Sequence, residues 1–250
     1  MQNILAIWQR EMKSYFVSPI AYVVLTVFLF ITGLFFFGYV AQLSSAQMGQ
    51  IQQAIDVPGI ITRGLFNTIS VVLLFIVPML TMGLFAEEKK RGTIELLLTT
   101  PVGNLQTLIG KYLASLAFLL LMLLGSAITI FPLFVYSKPE LKPVLSGYLG
   151  LFLFGSAMLA VGLFISTLTE NQIVAVIITF GVSLVLWLVE IFAPTSGAAK
   201  SVVSYLSVIS HLEDFIKGVI DSTHVIFYVT FAFVGLFLAY RSLESMRWKG

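Results

Sequence analysis

The sequence predicts an all-α integral membrane protein with six transmembrane helices, and three observations carry that prediction. Hydrophobic residues make up 58% of the 250 residues and charged residues only 10%, for a mean hydropathy of +1.00. Soluble domains carry about 25% charged residues, so too few are present here to clothe a water-exposed surface. Six long stretches lack Asp, Glu, Lys and Arg except for Glu190 near the end of the fifth, and each is near the roughly 20 residues that a helix needs to cross hydrocarbon. The longest segment between them, 194–223, is too short for an independently folding soluble domain, because even ~60 residues make a marginal one.

Residues 3–16 read as a helix lying along the membrane surface. Ile4, Trp8, Met12, Tyr15 and Phe16 share one face, and Gln9, Arg10 and Lys13 share another. Ser18-Pro19 ends this helix before the first span. A cleavable signal is not expected, because the charges follow the first apolar residues and no small-residue cleavage site appears. The spans are placed near 20–41, 65–86, 112–136, 147–168, 172–193 and 224–240. Apolar residues surround each of them, as expected where lipid covers part of the helix. Pro78 and Pro132 are positioned to kink the second and third spans. In the fourth, Gly155, Gly162 and Ser166 mark a close-approach face, with Gly162 and Ser166 in small-xxx-small spacing. Gly181 and Ser183 offer a similar face on the fifth. Such faces serve packing within one subunit or between two.

The basic residues set the expected orientation. With both termini cytoplasmic, Arg10, Lys13, Lys89, Lys90, Arg91, Lys111, Arg241, Arg247 and Lys249 lie inside. Arg63, Lys138, Lys142, Lys200 and Lys217 then lie outside, nine against five. The net charge of +2 is too small for a nucleic-acid binder. With no cysteine, disulfides and thiolate chemistry are excluded. Phosphate-loop spacing fails as well. Six residues separate Gly103 from Gly110, and Tyr112 follows Lys111 where a magnesium-binding Ser or Thr belongs. Leu145-Ser146-Gly147 starts like an ATPase signature but stops there. No span carries a charge near its middle, the usual mark of an ion or proton path.

The most informative segment runs from Glu87 to Pro101, between the second and third spans. Glu87-Glu88-Lys89-Lys90-Arg91 is followed by Gly92, which can break a helix, and by Thr93, which can cap a new one. Glu95 falls in the first turn, where the helix dipole favours an acid, and Pro101 stops the helix at Thr100. The product is a two-turn helix showing Leu96, Leu97 and Leu98. Bare leucines there would be costly, and a groove on a partner would cover them.

These residues carry a resemblance. Arg91-Gly92-Thr93-Ile94-Glu95-Leu96-Leu97-Leu98-Thr99-Thr100-Pro101 resembles the coupling-helix signature of type-2 ABC exporter permeases, the ABC-2 family. The stretch from Gln9 to Pro19 is similar to that family's elbow helix. Within the family, the chain most resembles the branch with gliding-motility permeases and permeases linked to copper-enzyme maturation. The resemblance implies a single six-span transmembrane domain over 1–250, with an elbow helix at 1–18, a coupling helix at 87–101 and short outer helices within 194–223. It implies contact with cytoplasmic ABC ATPase subunits through Glu87, Glu88, Arg91, Gly92, Thr93, Glu95, Leu96, Leu97, Thr100 and Pro101. A smaller contact through Glu170 and Asn171 in the turn between spans four and five is expected beside it. Trp8, Arg10, Lys13, Tyr15 and Phe16 would form the membrane-interface elbow. ATP and Mg would sit on the partner, with no cofactor or metal on this chain and no catalytic residue. A second permease copy or a homologous permease, with room for a membrane-anchored extracytoplasmic partner, completes the implied assembly in the bacterial plasma membrane.

Two other functions stay open at this level: a secondary transporter or channel, and a membrane scaffold within a larger assembly. Glu190, near the outer end of the fifth span, reads as an interfacial acid. His211, Glu213, Asp214, Asp221 and His224 include metal-ligand types, but their spacing matches no standard site. Residues 203–220 read instead as an amphipathic surface helix, offering Val203, Leu206, Ile209, Phe215, Ile216 and Val219 to the membrane.

Overall fold

The computed structural model describes residues 2–47, 56–93, 103–137, 139–192, 203 and 205–247. Nine α-helices and one 3-10 turn make up the regular elements among them. In chain order they are α1 (Gln2–Val17), α2 (Pro19–Gln47), α3 (Val57–Thr81), α4 (Gly83–Lys90), α5 (Asn104–Ser137) and α6 (Leu141–Leu168). Then come α7 (Gln172–Leu188), the 3-10 turn Val189–Phe192, α8 (Val208–Ile216) and α9 (Ser222–Arg247). Six helical stretches are long and apolar enough to cross a membrane: Pro19–Leu43, Val57–Lys90, Asn104–Ser137, Leu141–Leu168, Gln172–Ile191 and Ser222–Met246. The six expected spans are therefore present, several of them longer than hydropathy alone marks. Both chain ends lie at one end of the bundle, here the terminal face, together with α4, the start of α5 and the α6–α7 turn.

Helices suit this setting because each satisfies its own backbone groups without water. Buried hydroxyls follow the same rule. Thr32 donates to Phe28 O at 2.9 Å, Ser115 to Tyr112 O at 3.0 Å, Ser126 to Leu123 O at 2.7 Å and Ser156 to Leu153 O at 2.7 Å. Each polar side chain closes onto the preceding turn of its own helix and costs the apolar interior little.

The fourth span, α6, is the centre of the bundle. Its most apolar window is 72% buried, against 17% for α7. Small residues explain the difference, since they let neighbouring helices approach closely. Gly155 faces Leu119 of α5, Gly162 faces Thr81 of α3 and Thr179 of α7, and Gly235 of α9 rests on Ala160. The glycine and serine face read from the sequence thus packs within one subunit. On α7, by contrast, Gly181 has open space around it.

The second span is interrupted where Pro78 and Met82 follow one another. Met82 keeps right-handed helical dihedrals, so the break is one of hydrogen bonding. Ser166 of α6 repairs it. Its Oγ accepts from Phe85 N at 3.0 Å and from Ala86 N at 3.1 Å, and it donates to Met82 O at 3.2 Å. One serine on the central helix therefore pins the joint between α3 and α4.

Beyond the opposite face, α8 departs from the expected surface helix. Phe215 and Ile216 are fully or almost fully buried and face protein, not lipid. Phe215 and Leu212 lie on Gly150 of α6, and Ser146 donates to Phe215 O. Sequence alone cannot separate an amphipathic helix on a membrane from one on a protein, because both present one apolar side. Leu206 and Val219 do stay exposed.

A side chain at Gly162 would place its first carbon 2.2 Å from Thr81 Oγ1. Gly162→Leu therefore destabilises the bundle by at least the ~1–3 kcal/mol typical of overpacking, whereas Gly181→Leu leaves its fold unchanged. Thermal unfolding of the two variants in one detergent checks this contrast.

Candidate functional site

The described part of the Glu87–Pro101 segment is a helix end on the terminal face. Leu84, Phe85 and Ala86 are buried, Glu87 to Lys89 are half-buried, and Lys90, Arg91, Gly92 and Thr93 are exposed. Gly92 takes φ of +68°, the left-handed conformation that ends a helix at least cost for glycine. Thr93 Oγ1 donates to Glu88 O at 3.2 Å and so satisfies a carbonyl of the last turn. Arg91 pairs with Glu87 one turn back. Glu95, Leu96, Leu97, Thr100 and Pro101 lie outside the described residues.

Behind this exposed tip sits a buried ion cluster. Lys111 of α5 is 2% exposed, and its Nζ lies 3.1 Å from Glu11 Oε1 and 2.9 Å from Glu88 Oε1. Arg10 closes the ring from outside, 2.9 Å from Glu11 and 3.1 Å from Glu88. Nζ also lies 5.2 Å from the ring centre of Phe85. Three segments far apart in sequence thus meet on one ammonium group: α1, α4 and α5. Burial alone would raise the pKa of the Glu11 carboxyl, but Lys111 and Arg10 outweigh burial and hold it below its ordinary value. A carboxylate so lowered stabilises the fold above its unfolded pKa of 4.5, and that contribution is lost as pH falls through the lowered value.

Sequence reading starts the third span at 112, just after Lys111, and the structure starts its helix earlier. Helix α5 begins at Asn104, so Lys111 lies two turns inside it. The signal was available in outline: a helix begun at Asn104 encloses a cation that demands an acidic partner. Glu11 was missed as well, and Ser166 was read only as a packing residue, since nothing local in sequence points from either to its hydrogen-bonding partner.

The expected N-terminal segment is helical as α1, with no fully buried residue. Its more covered side docks on α5, with Ile7 against Gly110 and Tyr15 stacked on Phe118 at 5.2 Å between ring centres. Trp8 is half-buried; Phe16, grouped with Tyr15 in the sequence reading, is exposed and faces Tyr22 of α2 instead. Arg10 belongs to the ion cluster, and Lys13 is exposed.

The turn Thr169–Asn171 lies against the same helix end. Lys89 Nζ donates to Thr167 O at 2.6 Å, capping α6 with a cation where the helix dipole favours one. Asn171 Oδ1 accepts from Ile173 N at 2.9 Å and so caps α7, while Glu170 is exposed. The structure thus brings together two segments that the sequence treats as separate contacts, 87–93 and 169–171. Glycine 103 to Lys111 is helical from Asn104 and forms no phosphate loop. No group of three metal-ligating side chains occurs among the described residues.

Six helices long and apolar enough to cross a membrane, with a charged helix end on one face, define a polytopic membrane protein. Residues 5–223 match the sequence profile of the family described as ABC-2 family transporter protein. The chain belongs to the ABC-2 transporter family, and the match specifies no branch within it. Among curated proteins none matches.

Removing one partner from a buried ion cluster leaves uncompensated charge. Lys111→Met therefore lowers stability by about 3–5 kcal/mol, and adding Glu11→Gln and Glu88→Gln restores most of it. Unfolding curves for the single and triple variants check the account, which fails if the triple is no better than the single. Ser166→Ala strands the Phe85 and Ala86 amides for a loss of about 1–3 kcal/mol, measured in the same way.

Proposed function

We propose that this chain is the transmembrane permease subunit of an ATP-driven exporter whose ATPase is a separate cytoplasmic protein. The observation that carries the reading is the exposed tip Lys90–Thr93, standing directly on a helix that the Lys111 cluster ties to two other elements. In this reading both termini face the cytoplasm of a bacterial cell. The ABC ATPase subunits, loaded with ATP and Mg, grip residues 87–101 and touch Glu170 and Asn171. Asn171 adds only its outer side to that contact, because its side-chain oxygen already caps α7.

The mechanism follows from what holds α4. A push on its tip is resisted by Lys111, which carries it to α1 and α5, and by Ser166 and Lys89, which carry it to α6. A flexible loop would absorb such a push; this clamped helix end passes it to three spans. Closing of the partner shifts the equilibrium between access states only through contacts that differ between them. A second copy of the chain fits the mostly unburied faces of the first and fifth spans, where small residues such as Gly181 have open space. The phenylalanine-rich spans (22 Phe in all) suit an amphiphilic or lipid-like cargo.

The test is co-purification with a candidate ATPase followed by Glu95→Ala and Leu97→Asp. The expected result is loss of association and at least a tenfold fall in transport-coupled ATP turnover, equivalent to about 1.4 kcal/mol. Unchanged association and turnover in both variants would overturn the reading.

A further inference from the structure

On the face opposite the termini, two histidines that the proposed mechanism does not use are joined ring to ring. They are the only two in the chain. His211 of α8 is 5% exposed and stacks on Phe227 of α9, 3.9 Å between ring centres. Its Nδ1 lies 2.6 Å from Nδ1 of His224 at the start of α9. The outer nitrogens are also engaged: His211 Nε2 with Tyr205 O at 3.0 Å, and His224 Nε2 with Asp214 Oδ2 at 2.9 Å.

Donor and acceptor rules fix the proton count. A backbone carbonyl only accepts, so His211 Nε2 carries hydrogen. A carboxylate only accepts, so His224 Nε2 carries hydrogen too. The bond between the two Nδ1 atoms needs one more. Three hydrogens on two imidazoles make one imidazolium, balanced by the Asp214 carboxylate. With one proton fewer, two lone pairs face each other at 2.6 Å; with one more, two N–H groups and two positive charges do.

We infer that His211, His224 and Asp214 form a one-proton clasp between α8 and α9, which acidification of the compartment facing α8 releases. Other titratable groups lie around it. Glu190 approaches from the 3-10 turn and is held by Ser207 Oγ at 3.2 Å. On the exposed side of α8, Lys217 pairs with Glu213 at 3.2 Å and with Asp214 of the clasp at 3.5 Å, and Asp221 precedes α9. Tyr205 and Tyr228 present ring edges to His211, and α6 meets α8 through Ser146 and Gly150. Burial lowers the pKa of His211 from its ordinary 6.5, outweighing the Tyr205 carbonyl and the nearby carboxylates. The fold therefore favours neutral His211. That contribution is complete above pH 6.5 and is lost as pH falls through the lowered value.

What the clasp holds gives the release a consequence. Ile209 and Glu213 of α8 line one wall of a cavity of about 690 Å³, whose other walls include Tyr39, Asn67, Trp187 and Glu190. Tyr228 Oη still donates to Val208 O at 2.7 Å, so losing the clasp loosens that wall and does not detach it. The clasp depends on the proposed topology only for the compartment whose pH it senses, and its test needs no ATPase.

The chain has no native cysteine, so single cysteines report cleanly. Leu212→Cys on the buried side of α8 is labelled by a membrane-impermeant maleimide in lipid nanodiscs, with exposed Val219→Cys as the reference. Between about pH 7.5 and about pH 5.5 the labelling ratio is expected to rise about tenfold, and the same cysteine with His211→Phe to show no pH dependence. A ratio independent of pH in the otherwise native chain overturns the inference. Nitrogen-15 histidine NMR of the unmutated protein tests the proton count directly. One imidazolium and one Nε2–H imidazole near neutral pH are expected, and two neutral rings overturn it. Stoichiometric zinc or copper retention that disappears with His224→Gln also overturns it, because a bridging metal would then replace the proton.

Discussion

A single buried ammonium group holds the terminal face together. Lys111 is almost fully buried among Glu11, Glu88 and Phe85, in a chain where charge is scarce. The cost of burying that charge is what gives the contact its specificity. An apolar side chain at 111 would pack against many neighbours, but an ammonium requires its carboxylates in place. Hence α1 cannot slide along α5, nor α4 lift from it, without stranding a charge at the membrane edge. Buried ion pairs add little net stability compared with good apolar packing, and their best-attested use is fixing register. Here the register fixed is that of a surface helix and a helix tip, neither of which has a large apolar interface of its own.

The spans were legible in the sequence because their cause is local. Twenty or so consecutive apolar residues state their environment without reference to anything else, and so do the breaks at Ser18-Pro19 and at Gly92. The central role of α6 was half legible. Gly155, Gly162 and Ser166 announced close packing, but which helix they meet depends on the three-dimensional arrangement. The ion cluster and the histidine pair were illegible for the same reason. Residues 10, 11, 88 and 111 lie in three segments, and no short-range pattern links an acid near the N-terminus to a lysine a hundred residues later. Helix α8 shows the limit differently, since its apolar side reads the same whether Gly150 or a lipid tail lies beneath it.

The two faces of the bundle solve the problem of polar groups at a membrane edge in opposite ways. On the terminal face, two carboxylates, an ammonium and a guanidinium form one ring of ion pairs. On the far face, α8 and α9 are joined by two imidazoles and one carboxylate beside the Tyr228 hydroxyl, so part of that junction depends on a single proton. The first arrangement suits a place where force is transmitted, because its ion pairs tie three elements together. The second suits a place where conditions are read.

Helix α6 connects the two. At one end Ser166 supplies the hydrogen bonds that the second span lacks after Met82, and at the other Ser146 and Gly150 seat Phe215 of α8. Between them the helix is close-packed on all sides, and close-packed interiors shift between discrete arrangements more readily than they deform. Any tilt of α4 relative to α6 must either break the Ser166 bonds or take α6 with it. If α6 moves, the platform under α8 moves as well, and the histidine clasp decides whether α8 follows α6 or stays with α9. A buried serine and a shared proton, about a helix length apart, therefore act on the same rigid element.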